Sequence, residues 1–166
     1  MHVNLSAVEI YTPGLRGSVL SALEMHGLAP RDLVLEITES QLLVESAALE
    51  TLRALRATGV RLALDDFGTG YSSFAYLADL PLDMLKIPKP FIDRLSDGGN
   101  IVVQKIFEMA GALGLEVVAE GVETQAQYAA LEALGSVLVQ GYYLGRPVPE
   151  EELELATVRS RGVRAA

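Results

Sequence analysis

Residues 62–74 read LALDDFGTGYSSF. Leu62, Ala63 and Leu64 form the short apolar run of a buried strand. Asp65 and Asp66 stand side by side where that strand ends, and Gly68 and Gly70 let the chain leave through a flexible loop. Adjacent carboxylates repel each other and are costly to desolvate. The pair therefore either caps a turn or serves a cation.

Outward from this stretch, strand-like runs alternate with helical patterns. Strands are expected at 2–5 (HVNL), 33–37 (LVLEI), 61–65 (RLALD), 83–87 (DMLKI), 116–120 (EVVAE) and 137–141 (VLVQG). Leu15, Val19, Leu20 and Leu23 recur at helical spacing and stop at Gly27. Leu49, Leu52 and Leu55 mark a second helix that ends at Gly59. A third runs from Ile101 to Leu113, with Ile106, Phe107 and Ala110 among its apolar positions and Gly114 as its stop. Thr124 and Gln127 have the spacing of a capping box, ahead of a helix striped by Tyr128, Leu131 and Leu134. PEEELELATV (149–158) reads as a last helix with acidic residues in its first turn, as the dipole prefers.

Six strands, most followed by a helix, imply parallel pairing through helical crossovers. Alternation alone fits an open doubly wound sheet or a closed barrel. The strand ends separate the two. Asn4, Glu36, Asp65 with Asp66, Lys86, Glu120 and Gln140 place a polar group at or near the C-terminal end of every strand. In a (β/α) barrel those ends converge on one face, whereas an open sheet uses only those beside its switch point. The expected fold class is thus α/β, a TIM-type (β/α) barrel. It is incomplete, with about six of eight strands, because 166 residues fall short of the ~250 typical of a whole barrel. Residues 1–158 are read as one partial barrel domain and 159–166 as a flexible tail.

Composition narrows the function classes. Half of the residues are hydrophobic, which argues for a folded core. The net charge of −9 argues against loose binding to DNA, RNA or anionic membranes. No apolar run reaches the ~18 residues of a membrane span, and the first residues lack a basic signal-peptide start. A soluble, cytoplasmic protein is the expectation. Without cysteine, neither disulfides nor thiolate metal sites are possible.

Asn4, Glu36, Asp65, Asp66 and Glu120 are hard oxygen donors, which suit Mg²⁺ or Mn²⁺. With two ions about 3.5–4 Å apart, one aspartate could bridge both, generating hydroxide and neutralising phosphate charge. Each residue alone has a plainer reading. Two aspartates before a glycine-rich loop are more often a capped turn. A lone strand-end Glu is often solvated, and Lys86 alone could be a snorkelling lysine. Tyr142 and Tyr143 suit packing, and His2 and His26 suit the surface or a strand edge. Recurrence at six strand ends favours a metal-dependent hydrolase or lyase.

The motifs VNLS, LEITES, LDDFGTGYSS, LKI, VVAEGVET and QGYYLGRP, in order along residues 3–147, resemble the EAL domain family of cyclic di-GMP phosphodiesterases. The resemblance implies a modified TIM barrel with one antiparallel strand. It implies hydrolysis of cyclic di-GMP to linear pGpG with two divalent ions. Asn4, Glu36, Asp65, Asp66 and Glu120 match the family's metal ligands. Lys86 matches the lysine that helps place the attacking water and phosphate. Glu39 matches the glutamate anchoring the loop after the paired aspartates, and Glu123 and Gln140 match polar site residues. Phe67, Gly68, Thr69, Gly70, Tyr71, Ser72 and Ser73 correspond to the mobile substrate loop, which the family links to dimerisation. The resemblance further implies a homodimer, and an upstream sensory or GGDEF-type domain in a longer parent. Two departures stand out. The Glu-Ala-Leu motif and a nearby substrate-holding arginine are missing, and IPKPF (87–91) replaces the usual Ile-Asp-Arg-Ser-Phe. A catalytically inactive cyclic di-GMP receptor or protein-interaction module is the competing expectation.

Overall fold

A computed structural model of the chain describes residues 1–39, 46–69, 77–95, 100–149 and 163–165. The chain divides into two compact units, Met1–Leu85 and Lys86–Ala166.

The first unit holds β1 (His2–Asn4), α1 (Ala7–Ile10), α2 (Leu15–Met25), β2 (Val34–Thr38), α3 (Ser46–Arg56), β3 (Arg61–Asp65) and the start of β4 (Met84–Ile87). Neighbouring strands are parallel, in the order β1-β2-β3-β4. Leu35, Ile37, Leu62 and Leu64 alternate along β2 and β3 and so share one sheet face, and all four are buried. α3 packs on β3 and buries Leu52 and Leu55 completely, while Arg53 and Arg56 occupy its last turn. Arg56 donates from Nε (3.0 Å) and Nη2 (2.9 Å) to Asp83 Oδ1, and Asp83 Oδ2 accepts the Leu62 amide at 3.0 Å. One carboxylate thus ties α3 and the start of β3 to the approach to β4.

The second unit holds the end of β4, α4 (Lys89–Ile92), α5 (Asn100–Leu113), β5 (Glu116–Glu120), α6 (Gln125–Leu134), β6 (Val137–Gln140) and β7 (Val163–Ala165). β5, β6 and β7 are parallel in that order. The apolar centre of β5, Val117 to Ala119, is buried, and α5 turns Val103, Ile106 and Ala110 inward. Leu113, expected on that face, is exposed at the helix end. The expected capping box is present: Thr124 Oγ1 accepts the Gln127 amide, and the Gln127 side chain accepts the Thr124 amide.

The six expected strands are all present, with ends shifted by no more than one residue. Four short elements among the described residues were not anticipated, one of them a 3-10 turn at Pro30–Asp32. α1 starts at a Ser6–Glu9 capping box and α4 at Pro88. β7 lies in the stretch read as tail, whose remaining residues fall outside the described ones. The helix expected at 149–158 falls outside them from residue 150 onward.

Candidate active site

β3 delivers the paired aspartates into a tight turn. Asp66 adopts the left-handed conformation (φ 55°), which aspartate tolerates better than most side chains. Its amide donates to Asp65 Oδ1 at 2.9 Å, and its carbonyl accepts both the Thr69 hydroxyl (2.8 Å) and the Thr69 amide (3.2 Å). Phe67 is buried beneath the turn. The Gly68 amide donates to Glu39 Oε2 at 2.7 Å, and Glu39 is itself buried. The start of this loop is therefore held in place by a carboxylate from the end of β2. Gly70, Tyr71, Ser72 and Ser73 lie outside the described residues.

Register places the oxygen donors of the first unit. Asn4 pairs with Glu36, Glu36 with Ala63, and Thr38 with Asp65. Side chains alternate along a strand, so Asn4, Glu36 and Asp65 project from one sheet face, opposite the leucines that pack the helices. His2 joins that face. Its Nδ1 lies 2.7 Å from Glu36 Oε1. The spacing of His2 from Asn4 was a signal for this contact that the sequence reading passed over.

In the second unit Glu120 pairs with Gln140 in register. Lys86 is buried, and its Nζ lies 2.6 Å from Glu120 Oε1. Past Glu120 the chain crosses Gly121 (φ 66°), where an added Cβ would lie 2.6 Å from Lys89 Cβ. Glu123 is exposed. Its carboxylate meets Lys89 Nζ at 3.1 Å, and its amide donates to Gln127 Oε1 at 2.8 Å. Lys89 also bonds Asp93 at 2.9 Å, and Gln127 Nε2 donates to Asp93 at 3.3 Å. Hydrogen bonds that the Lys89 ammonium donates to Asp93 and then to Glu123 raise its pKa above the ordinary value. Lys89, Asp93 and the second role of Gln127 went unread in the sequence. Pro88 takes the N-cap position of α4, so the exit from β4 is helical.

The donors fit a hard divalent cation by chemical type, and Asn4, Glu36 and Asp65 by shared face. Among the described residues, however, no three His, Asp or Glu side chains are gathered into a ready-made cage. His2 holds one oxygen of Glu36, and the Lys86 ammonium holds one oxygen of Glu120.

The EAL domain family matches residues 1–147. The bifunctional diguanylate cyclase/cyclic di-GMP phosphodiesterase MucR of Pseudomonas aeruginosa is 46% identical over 159 residues, which cover 94% of this chain and 23% of MucR. The chain thus spans about a quarter of that relative's length. A solved structure of PaMucR phosphodiesterase in complex with c-di-GMP superposes with a TM-score of 0.84 at 46% identity, covering 92% of this chain and 63% of that one. A manganese/cy-diGMP complex of Klebsiella pneumoniae BlrP1 gives 0.80 at 31% identity, covering 88% and 38%. The fold class is α/β, an incomplete TIM-type barrel. No helix among the described residues is long and apolar enough to cross a membrane. With its motifs, strand register and match over residues 1–147 in agreement, the chain belongs to the EAL domain family.

Proposed function

We propose that this chain is a cyclic di-GMP phosphodiesterase module that hydrolyses its substrate to linear pGpG. The observation that carries the reading is the buried Lys86 whose Nζ lies 2.6 Å from Glu120 Oε1 at the end of β5. Support comes from MucR and BlrP1, whose solved structures are complexes with the dinucleotide.

Asn4, Glu36, Asp65, Asp66 and Glu120 would hold two Mg²⁺ or Mn²⁺ ions. Such ions, when bound, neutralise phosphate charge and lower the pKa of a water. Lys86 offers a fixed positive charge to a phosphate oxygen, and Glu120 keeps the ammonium from turning away. Glu39 fixes the base of the loop that starts at Phe67 by accepting the Gly68 amide. Glu123 and Gln140 extend the polar surface beyond β5 and β6. A homodimer is part of the proposal, as the family resemblance implies. So is a cytoplasmic setting, and so is a GGDEF-type or sensory partner domain, the latter supported by the bifunctional relative MucR.

The test compares the chain with Asp65→Asn. Hydrolysis by the parent should fall by about 10²-fold or more in the variant, with an unchanged melt. Equal rates would contradict the assignment. Tight binding of cyclic di-GMP by a parent that never forms pGpG would identify a receptor instead.

A further inference from the structure

The His2–Glu36 contact is more than the fold requires. The β1–β2 pairing is already fixed by backbone bonds at both ends: the Val34 amide donates to the Met1 carbonyl, and the Leu5 amide to the Glu36 carbonyl, each at 2.8 Å. His2 pairs in register with Val34, so its ring reaches diagonally, two residues along β2, to meet Glu36. The side chains are 25% and 8% exposed, which shelters the bond from competing water. With the proton on Nδ1, the His2 ring donates and the Glu36 carboxylate accepts.

A glutamate has three rotatable side-chain bonds, and a buried one anchored at Oε1 presents its second oxygen in a set direction. Metal-binding carboxylates are commonly held this way by a hydrogen-bonded neighbour that does not touch the metal. We propose that His2 is a positioning residue that aims the Glu36 carboxylate at a divalent cation on the sheet face shared with Asn4 and Asp65. The proposal rests on the reading of Glu36 as a metal ligand.

The test needs no substrate. Mn²⁺ is titrated into the full chain, and loss of the free-ion EPR signal reports binding. His2→Phe should weaken Mn²⁺ binding by about 10- to 100-fold. His2→Gln, which retains an N–H donor, should restore most of the loss, with melting temperatures unchanged. His2→Ala supplies the same deletion should the Phe ring not fit. Pulsed EPR of the Mn²⁺-loaded parent should show no directly coordinated nitrogen. Parent-like affinity in the deletion variants, failure of His2→Gln to restore it, or a coordinated imidazole signal would each overturn the proposal. Glu36→Gln separates the two readings. Unchanged affinity there removes Glu36 as a ligand and the proposal with it. Loss there, with none in His2→Phe and His2→Ala, overturns the proposal alone.

Discussion

Lys86 and Glu120 form an ion pair, Nζ to Oε1 at 2.6 Å, with the lysine buried and the glutamate partly exposed, their side chains 4% and 22% exposed. Removing the lysine takes away the 2.6 Å partner of a partly buried carboxylate. Lys86→Met should therefore destabilise the chain by about 1–3 kcal/mol in urea unfolding. It should also lower turnover of cyclic di-GMP far more than this loss of stability explains. A variant with parent turnover would contradict the role given to Lys86.

Glu39 is predicted to act through the loop it anchors. In Glu39→Ala the Gly68 amide loses its acceptor, and hydrogen exchange at Gly68 and Thr69 should speed up. Global stability should fall by about 1 kcal/mol. Glu39→Gln keeps a carbonyl acceptor and should show slower exchange than Glu39→Ala. Equal protection in all three would show that the loop is held by something else.

Gly141 is required by close approach. Its position lies directly against the backbone of Val122, where an added Cβ would overlap the Val122 nitrogen and oxygen. Val122 N–H donates to the Gln140 carbonyl at 3.2 Å, and the Val122 carbonyl accepts the Tyr143 amide at 3.0 Å. Gly141→Ala should break this clasp, cost about 1–3 kcal/mol by overpacking and shift Gln140. Gly145→Ala, with open space around its Cβ, should be neutral in the same thermal melt.

The cap after β1 gives a pH-dependent prediction. Ser6 Oγ donates to Glu9 Oε2 at 2.6 Å and the Ser6 amide donates to the same oxygen at 2.8 Å. These bonds hold the Glu9 pKa below its ordinary 4.5. A lowered folded pKa means stability that is fully present above the unfolded value and lost as pH falls through the folded one. Ser6→Ala should lower the melting temperature at neutral pH, by the equivalent of about 1 kcal/mol for a lost N-cap. The gap between variant and parent should narrow below pH 4. A constant gap from pH 7 to pH 3 would contradict the linkage.

Periodicity made the long elements legible. α2, α3, α5 and α6 each carry a stripe of leucines or valines and a glycine or cap signal, and the strands are apolar runs bounded by charge. Short elements lacked the length to show a period. α1 has four residues, and its Ser6–Glu9 box sits in an otherwise mixed stretch. α4 begins behind Pro88 and carries Pro90 in its own first turn, a place that proline suits, but four residues show no period. Of the site, the strand-end residues were legible because they recur. Their partners were not. His2 reaches Glu36 across 34 positions, and Gln127 reaches Asp93 across the same separation, contacts set by strand register and helix placement.

The most direct measurement of the central claim is hydrolysis of cyclic di-GMP by the purified 166-residue chain, with product followed chromatographically in Mn²⁺, in Mg²⁺ and in excess chelator. Linear pGpG should form with metal and stop with chelator. A folded chain that forms no pGpG with either metal, or forms it equally in chelator, would contradict the account.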